Sequence, residues 1–299
     1  MNNFPRTIVG GVSVSRMIIG TNWFLGFSHC TMSKDKLIMQ YMDRSKIADV
    51  IVEFMKAGVD TIMGLMQRPL LYQAVQEAQD RTGKKLILIS TPTFPITPQT
   101  AEKGVDPDEA ARILDAEAKL GTTFCLPHES TTDCLLDKCT RQIRHMDKLC
   151  KMIRERGMIP GLSSHSPESI VFADSTGLDV ETYITIYNSM GFLMHLEVDW
   201  IHRIIHKARK PVITIKPMAS GQLRPFQALT FVWSTLREQD MVTVGCMTPE
   251  EAKECIDLSL AALGYGERDK VELQETRSKA IFKEHMKKVA HSSQEDTKT

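Results

Sequence analysis

Residues 196–216 read LEVDWIHRIIHKARKPVITIK and contain one complete repeat of the fold. Apolar side chains recur at helical spacing over Leu196–Arg209, which predicts an amphipathic helix. The segment Val212–Ile215 has the length and the branched apolar side chains of a parallel strand that is buried on both faces. Lys216 follows directly, so a charged side chain is expected at the carboxyl end of this strand.

The same alternation of helix and strand occupies most of the chain. Eight short apolar segments are predicted to be strands: Met17–Ile19, Val59–Met63, Leu86–Ile89, Thr123–Leu126, Met158–Leu162, Tyr183–Tyr187, Val212–Ile215 and Met241–Val244. Eight longer segments have helical periodicity: Ser45–Lys56 with Ser45 as its cap, Leu70–Arg81, Pro107–Leu120, Asp133–Arg156, Pro167–Ser175, Leu196–Arg209, Pro225–Leu236 and Pro249–Leu263. Eight such units favour an α/β fold of the (β/α)8 type, a TIM barrel of about 250 residues, over a doubly wound sheet.

The remaining segments complete a single predicted domain over residues 1–290. Alternating residues around Gly10–Gly11 predict a short hairpin over 7–14, followed by the barrel over 15–263. A charged helix is predicted over 267–290, and residues 291–299 are predicted to be a disordered tail.

Two long loops follow predicted strands, at 21–44 and 92–107. Loops of this length at the active face of a barrel are candidate lids.

Composition narrows the class of protein. Among 299 residues, 37 Lys and Arg balance 37 Asp and Glu, so we expect no surface for nucleic acid or for an anionic membrane. No apolar segment approaches the ~18 residues that span a bilayer. The seven cysteines include no CxxC pair, which indicates a reducing, cytoplasmic compartment. The expected partner is a small-molecule substrate or another protein, and a homo-oligomer is an open alternative.

The candidate site follows from the predicted barrel. Barrel enzymes place their active sites at the carboxyl ends of the strands, so the residues that follow each strand are the candidates. The expected catalytic residues are His128, Glu129, His165 and Lys216. The residues expected to bind the substrate are Asn22, Trp23, Ser163, Ser164, Tyr187 and Asn188.

The pair His128-Glu129 and the nearby His165 have three interpretations. They could bind a divalent metal, with His29 as a further ligand, although no HExxH spacing supports this. They could be a general acid and base, because imidazole titrates near neutral pH. They could also be structural polar groups.

Other residues at the predicted mouth also allow a structural interpretation. Lys216 could form a Schiff base, hold an anionic group, or make a salt bridge at the surface. Tyr187 and Asn188 could contact a ligand or close the end of the barrel.

Several segments, in order, resemble the strands of aldo-keto reductases, and together they extend over roughly residues 9–263. They are 14–23 (VSRMIIGTNW), 57–62 (AGVDTI), 120–128 (LGTTFCLPH), 161–168 (GLSSHSPE), 186–188 (IYN), 215–223 (IKPMASGQL), 228–234 (ALTFVWS) and 244–252 (VGCMTPEEA). The resemblance implies a barrel that reduces carbonyls with NADPH, using an Asp, a Tyr, a Lys and a His.

Three of these four catalytic positions differ from the family's pattern. The aspartate position is Met63, the tyrosine position is nearest Arg68, and the lysine position is Pro92, whereas the histidine is present as His128. The family's asparagine after strand five is Ser164 here.

The cofactor positions differ as well. The glutamine that stacks near the nicotinamide is replaced by Ile184, and the segment 248–251 is acidic where a phosphate clamp would be basic. A helix N-terminus alone could still bind an anion.

Our favoured hypothesis is an aldo-keto-reductase-like barrel that lacks the reductase tetrad. It performs non-redox acid/base chemistry of the isomerase or lyase type, with His128 and His165 as acid and base. In this hypothesis Glu129 orients the imidazoles, Lys216 stabilises charge, and a divalent metal is compatible.

Two alternatives remain. One is an NADP(H)-dependent oxidoreductase with an atypical proton donor, Tyr187 or Tyr72. The other is a non-catalytic binding module, whose mouth would be filled by the loop that carries Trp23, Phe24 and Phe27.

Overall fold

A computed structural model describes residues 3–265, so the helix predicted over 267–290 and the tail predicted over 291–299 lie outside the described residues. The strands are β1 Arg6–Val9, β2 Val12–Ser15, β3 Met17–Gly20, β4 Thr61–Gly64, β5 Ile87–Ser90, β6 Phe124–Cys125, β7 Leu136–Asp137, β8 Gln142–Ile143, β9 Ile159–Pro160, β10 Leu162–Ser163, β11 Tyr183–Ile186, β12 Val212–Ile215 and β13 Met241–Val244. The helices are α1 Met32–Tyr41, α2 Arg44–Lys56, α3 Pro69–Thr82, α4 Pro107–Lys119, α5 Glu129–Leu135, α6 Met146–Glu155, α7 Glu168–Thr176, α8 Val198–Lys207, α9 Pro225–Thr235 and α10 Pro249–Ala262.

Nine of these strands form one parallel sheet in the order β10-β11-β12-β13-β3-β4-β5-β6-β9. The two ends of that order, β9 and β10, are consecutive in the chain and are separated only by Gly161, so the sheet is a nearly closed barrel. Gly161 N donates to Cys125 O of β6, and Leu162 N donates to Thr182 O beside β11. A side chain at Gly161 would come within 2.8 Å of Thr182 O, which is why glycine occupies the junction. The predicted (β/α)8 TIM barrel is confirmed.

The hairpin of β1 and β2 closes the amino end of the barrel. It turns at Gly10–Gly11, as predicted, and its strands pair antiparallel with Val9 opposite Val12. Val9 and Val14 are buried in one cluster with Ile18, Phe124 and other side chains of the barrel interior. Because this end is filled with apolar side chains, the open end of the barrel is the carboxyl end.

Two predictions around the start of α2 are wrong. The N-cap of α2 is Asp43 and not Ser45, because the Asp43 carboxylate accepts the amide of Lys46 at 2.9 Å. The predicted long loop over 21–44 contains the helix α1, which Thr31 caps by accepting the amide of Lys34.

The single helix predicted over Asp133–Arg156 is wrong. The segment contains α5, a small hairpin of β7 and β8, and α6. The Asp137 carboxylate accepts the amides of Cys139 and Thr140 and an ion pair from Arg144 at 2.6 Å. Such local hydrogen bonds compete with helix formation, and here they hold a turn in place of a helical segment.

No helix within residues 3–265 is long and apolar enough to cross a membrane.

Candidate active site

A cavity of about 670 Å³ opens at the carboxyl ends of the strands. All four expected catalytic residues line it. The other predicted residues in its wall are His29, Asn22, Trp23 and Ser163. The mouth is therefore not filled by the loop after β3, although Trp23 and Phe27 line it.

Three residues expected to bind the substrate have structural roles. The Ser164 hydroxyl donates to Asp133 Oδ1. Asn188 is fully buried, and its side chain bonds the backbone of Met190 and Phe192, which closes the loop after β11. The Tyr187 hydroxyl donates to Thr235 on α9. Ser164, Tyr187 and Asn188 are not among the residues that line the cavity.

His128 is placed as a neutral hydrogen-bond donor. It follows β6 and is the N-cap of α5, where its Nδ1 accepts the amide of Ser130 at 3.3 Å. The same Nδ1 lies 2.9 Å from the Ser130 hydroxyl oxygen. In the tautomer in which Nδ1 accepts from both groups of Ser130, the proton of the neutral ring is on Nε2. Burial lowers the pKa of His128, partly offset by Glu129 and reinforced by the charge of Lys216. In this tautomer the neutral Nε2–H is the group that His128 offers to a ligand.

Glu129 lies between the two imidazoles. Its Oε1 is 3.8 Å from His128 Nδ1, and its Oε2 is 4.0 Å from His165 Nδ1. All three side chains are partly buried. Burial lowers the pKa of His165 to about 3, reinforced by the charges of Lys216 and the neighbouring histidines, so this imidazole is neutral at physiological pH. Desolvation and Lys216 also lower the pKa of His29.

Lys216 directly follows β12, and its backbone is in the left-handed conformation, with φ at 59°. Residues other than glycine rarely adopt this backbone conformation, which costs on the order of 1–3 kcal/mol. Burial lowers the pKa of Lys216 to about 8, partly offset by the carboxylate of Glu129. Within residues 3–265 the ammonium group has no carboxylate at ion-pair distance and no hydrogen-bond acceptor. The salt bridge considered from the sequence is thus not formed there.

Asp133 is a site residue that the sequence did not reveal. Its Oδ1 accepts the hydroxyl of Ser164 at 2.5 Å, and its Oδ2 accepts the amide of His165 at 3.2 Å. Burial raises the pKa of Asp133, partly offset by these hydrogen bonds. The carboxylate ties the turn that carries His165 to α5, which begins at Glu129. In the sequence Asp133 is distinguished only by its position five residues after His128. It was predicted as the first residue of the helix Asp133–Arg156, so no role in the site was assigned to it.

Asp133→Ala is expected to destabilise the protein by about 1–3 kcal/mol, because two buried donors lose their acceptor. It is also expected to release the turn that carries His165, so that the imidazole becomes better solvated and its pKa rises from about 3 towards 6.5, because desolvation is the main cause of the lowered value. Chemical denaturation measures the first effect, and imidazole NMR titration measures the second.

Asp80→Ala on the exposed surface of α3 is the matched control, expected to change stability by less than about 0.5 kcal/mol. A His165 titration unchanged in Asp133→Ala would contradict the positioning role.

The predicted metal centre does not form. Within the described part of the chain, no group of three or more His, Cys, Asp or Glu side chains is arranged to hold a metal ion. The predicted ligands were His128, Glu129, His165 and His29. No step of a mechanism is therefore assigned to a metal.

The N-terminal part of α10, where the resemblance places the phosphate clamp, brings carboxylates to the cavity wall. The wall includes Glu251 and Glu254 of α10, together with Arg224. Glu251 closes the N-terminus of α10 as a capping box, accepting the amide of Met247 at 2.7 Å while its own amide donates to Thr248. At this helix N-terminus the Met247 amide is thus satisfied by a carboxylate of the chain and the Glu251 amide by the Thr248 hydroxyl, so neither is free for an anion.

The proposed alternative proton donors do not reach the cavity. The Tyr72 hydroxyl donates to Leu120 O at 3.3 Å, and Tyr187 bonds Thr235. Of the four positions where the resemblance places the reductase tetrad, His128 and Met63 line the cavity, whereas Arg68 and Pro92 do not.

The fold is that of solved aldo-keto reductases. A protein from Pseudomonas aeruginosa described as an aldo-keto reductase is 14% identical, with a TM-score of 0.62, over 88% of this chain and 98% of that one. An aldo/keto reductase from Brucella melitensis is 15% identical, with a TM-score of 0.56, over 89% of this chain and 99% of that one. A structure described as a 2,5-diketo-D-gluconic acid reductase B is 12% identical, with a TM-score of 0.55, over 92% and 95%.

The amino-acid sequence matches no family model and no curated protein at a significant level. At these identities the structural likeness establishes the fold, and the activity has to be argued from the side chains of the cavity.

Proposed function

We propose that the cavity catalyses non-redox proton transfer at a carbon next to a carbonyl group, in an isomerase-type or lyase-type reaction on a small polar metabolite. One observation carries the proposal: Glu129 lies within 4.0 Å of two imidazoles in a cavity that also holds the unpaired Lys216. A carboxylate, neutral donors and a cation in one partly desolvated space are the groups that such a reaction needs.

Each group has a distinct role in this proposal. Glu129 removes the proton from carbon, in place of the orienting role expected from the sequence. The Nε2–H of His128 donates to the carbonyl oxygen, because a neutral imidazole is matched to an oxygen that becomes an enolate. Lys216 stabilises the developing negative charge. His165 is neutral and close to Glu129, so it is placed to pass a proton between that carboxylate and the substrate.

The cavity supports a small polar substrate. Its volume of about 670 Å³ lies within the usual range for small-molecule sites. One structural relative is described as a reductase of a diketo sugar acid, which is a polar carbonyl compound. The loss of the reductase positions at Met63 and Pro92 favours chemistry that keeps the carbonyl and omits hydride transfer.

Exchange of carbon-bound hydrogen for deuterium tests the proposal. The protein is incubated in D2O with dihydroxyacetone, glyceraldehyde and pyruvate, and proton NMR follows loss of signal next to the carbonyl. Glu129→Gln is expected to slow the exchange by about 10²-fold, because it removes the base. Glu155→Gln, an exposed change on α6, is the control and should exchange at the wild-type rate.

Two outcomes contradict the proposal. One is exchange in Glu129→Gln as fast as in wild type. The other is NADPH-dependent reduction of the same carbonyls with saturable NADPH binding, which would favour the oxidoreductase alternative.

A further inference from the structure

We infer that Lys216 is a nucleophile that forms an imine with the carbonyl group of the substrate. The inference rests on the proposed function, which itself requires only a positive charge at this position. It assigns covalent catalysis to the cavity and limits the substrates to aldehydes and ketones that are open to attack by an amine.

The barrel fixes the position of Lys216. Lys216 directly follows Val212–Ile215, which is hydrogen-bonded to β11 and β13 along its length, so the start of the side chain is fixed by the barrel. The turn after it is also fixed, because Ala219 N donates to Lys216 O at 3.0 Å. Three residues of this turn, Lys216, Ala219 and Ser220, have positive φ. A strained turn that keeps a lysine at a cavity is typical of a functional site.

The ammonium group of Lys216 has no ion-pair partner within residues 3–265. Several surface lysines of the described chain make ion pairs, such as Lys210 with Glu181 at 2.9 Å and Lys138 with Glu168 at 2.7 Å. Lysines without an ion pair are ordinarily solvated, whereas Lys216 lines the cavity and is largely withdrawn from water. Its charge nevertheless reaches His29, His128 and His165 strongly enough to lower their pKa values.

The surroundings of Lys216 raise the share of neutral amine relative to a solvated lysine. The cavity wall includes the apolar side chains of Ile184, Ile215, Pro217 and Met218. The nearby imidazoles are neutral. A lysine in such a desolvated position is the kind that becomes nucleophilic in proteins, consistent with its lowered pKa.

The covalent step uses only the substrate, water and groups of the cavity. The neutral Nζ adds to the carbonyl carbon, so that a C–N bond forms and the C=O π bond breaks towards oxygen. One proton then passes from the nitrogen to that oxygen and gives a neutral carbinolamine. Glu129 takes a proton from solvent and delivers it to the hydroxyl, the C–O bond breaks, water leaves, and an iminium ion remains on Lys216. When Glu129 then removes a proton from the adjacent carbon, the electron pair moves towards the positive nitrogen and gives an enamine. Hydrolysis restores the lysine, so no oxidant or reductant is consumed.

Borohydride trapping tests the inference. The full chain is incubated with dihydroxyacetone or pyruvate and then with sodium borohydride, which reduces an imine to a stable secondary amine. Intact mass and peptide mapping are expected to show one adduct, on Lys216, in at least tenfold excess over any other lysine. Lys216→Met and Lys216→Arg should both lose the adduct, and the arginine variant keeps the positive charge, which guards against a simple folding defect. Lys210→Met is the control and should be labelled like wild type.

The outcomes separate this inference from the proposed function. Deuterium exchange without an adduct on Lys216, or adducts spread equally over surface lysines, overturns the imine and leaves proton transfer standing. An adduct on Lys216 that persists when Glu129→Gln abolishes exchange supports both assignments. Absence of both exchange and adduct overturns both.

Discussion

Asp240→Ala is expected to lower the free energy of unfolding by about 3–5 kcal/mol, the largest stability effect that we expect from one side chain in the barrel. Asp240 is completely buried at the amino end of β13. Its Oδ1 accepts from Arg237 Nη2 at 2.7 Å and from the amide of Val212 at 2.9 Å. Its Oδ2 accepts from Arg237 Nε at 2.9 Å. Removing the carboxylate leaves a largely buried guanidinium and the first amide of β12 without their acceptor.

A neighbouring cation adds to the expected loss. Arg16 donates from Nε to the backbone oxygen of Asp240 at 3.0 Å, and burial lowers the pKa of Arg16, an effect that Asp240 partly offsets. In Asp240→Ala two guanidinium groups face this end of the barrel without their carboxylate.

Urea denaturation measures the loss of stability, and the matched control is Asp49→Ala. Asp49 pairs with Arg81 at 2.6 Å, but both side chains are at least 40% exposed, so this change should cost less than about 1 kcal/mol. Equal losses in the two variants would show that the Asp240 network does not support the barrel.

The strands could be predicted from the sequence because they are buried on both faces. A strand such as Val212–Ile215 has no polar face to obscure it, and its neighbours repeat the same pattern. The fifth strand shows the limit: it was predicted as one segment, Met158–Leu162, yet it breaks at Gly161, where a side chain would meet the backbone of Thr182. That contact comes from another strand and leaves no local pattern.

The helices could be predicted where the apolar side chains recur at helical spacing without interruption. They could not be predicted where a side chain accepts hydrogen bonds from nearby backbone amides. Asp137 ends the helical segment by accepting two amides and an ion pair from Arg144, residues that from their types alone would fit a helix. The helix α1 was missed because four of its apolar side chains are exposed, which weakens its amphipathic pattern: Met32, Leu37, Met39 and Tyr41.

The candidate site could be predicted in part by the rule that barrel sites lie at the carboxyl ends of strands. The rule brought His128, Glu129, His165 and Lys216 to one cavity. It could not separate side chains that point into the cavity from those that close loops, as Asn188 does with the backbone of Phe192. That choice depends on donors several residues away, whose positions follow from the tertiary structure.

Labelling of Lys216 is expected to rise with pH through a midpoint near 8, because only the neutral amine attacks a carbonyl. Its pKa is lowered from 10.5 to about 8 by burial, so the deprotonated fraction grows as the pH rises through this lower value. At pH 7 a lysine with this lowered pKa has far more free amine than an ordinary lysine has. Borohydride trapping at a series of pH values, quantified on the Lys216 peptide against the Lys210 peptide, measures the midpoint.

The variant Glu129→Gln tests in which direction the pH midpoint of Lys216 labelling moves. Four titratable groups face Lys216, and they are Glu129, His29, His128 and His165. The three imidazoles are neutral near pH 8, so Glu129 is the one whose charge holds the lysine pKa up. Removing that charge should move the labelling midpoint below 8, whereas Glu155→Gln should leave it in place. A midpoint that moves upward in Glu129→Gln, or one near 10.5 in wild type, would show that Lys216 is solvated and is not the nucleophile of the cavity.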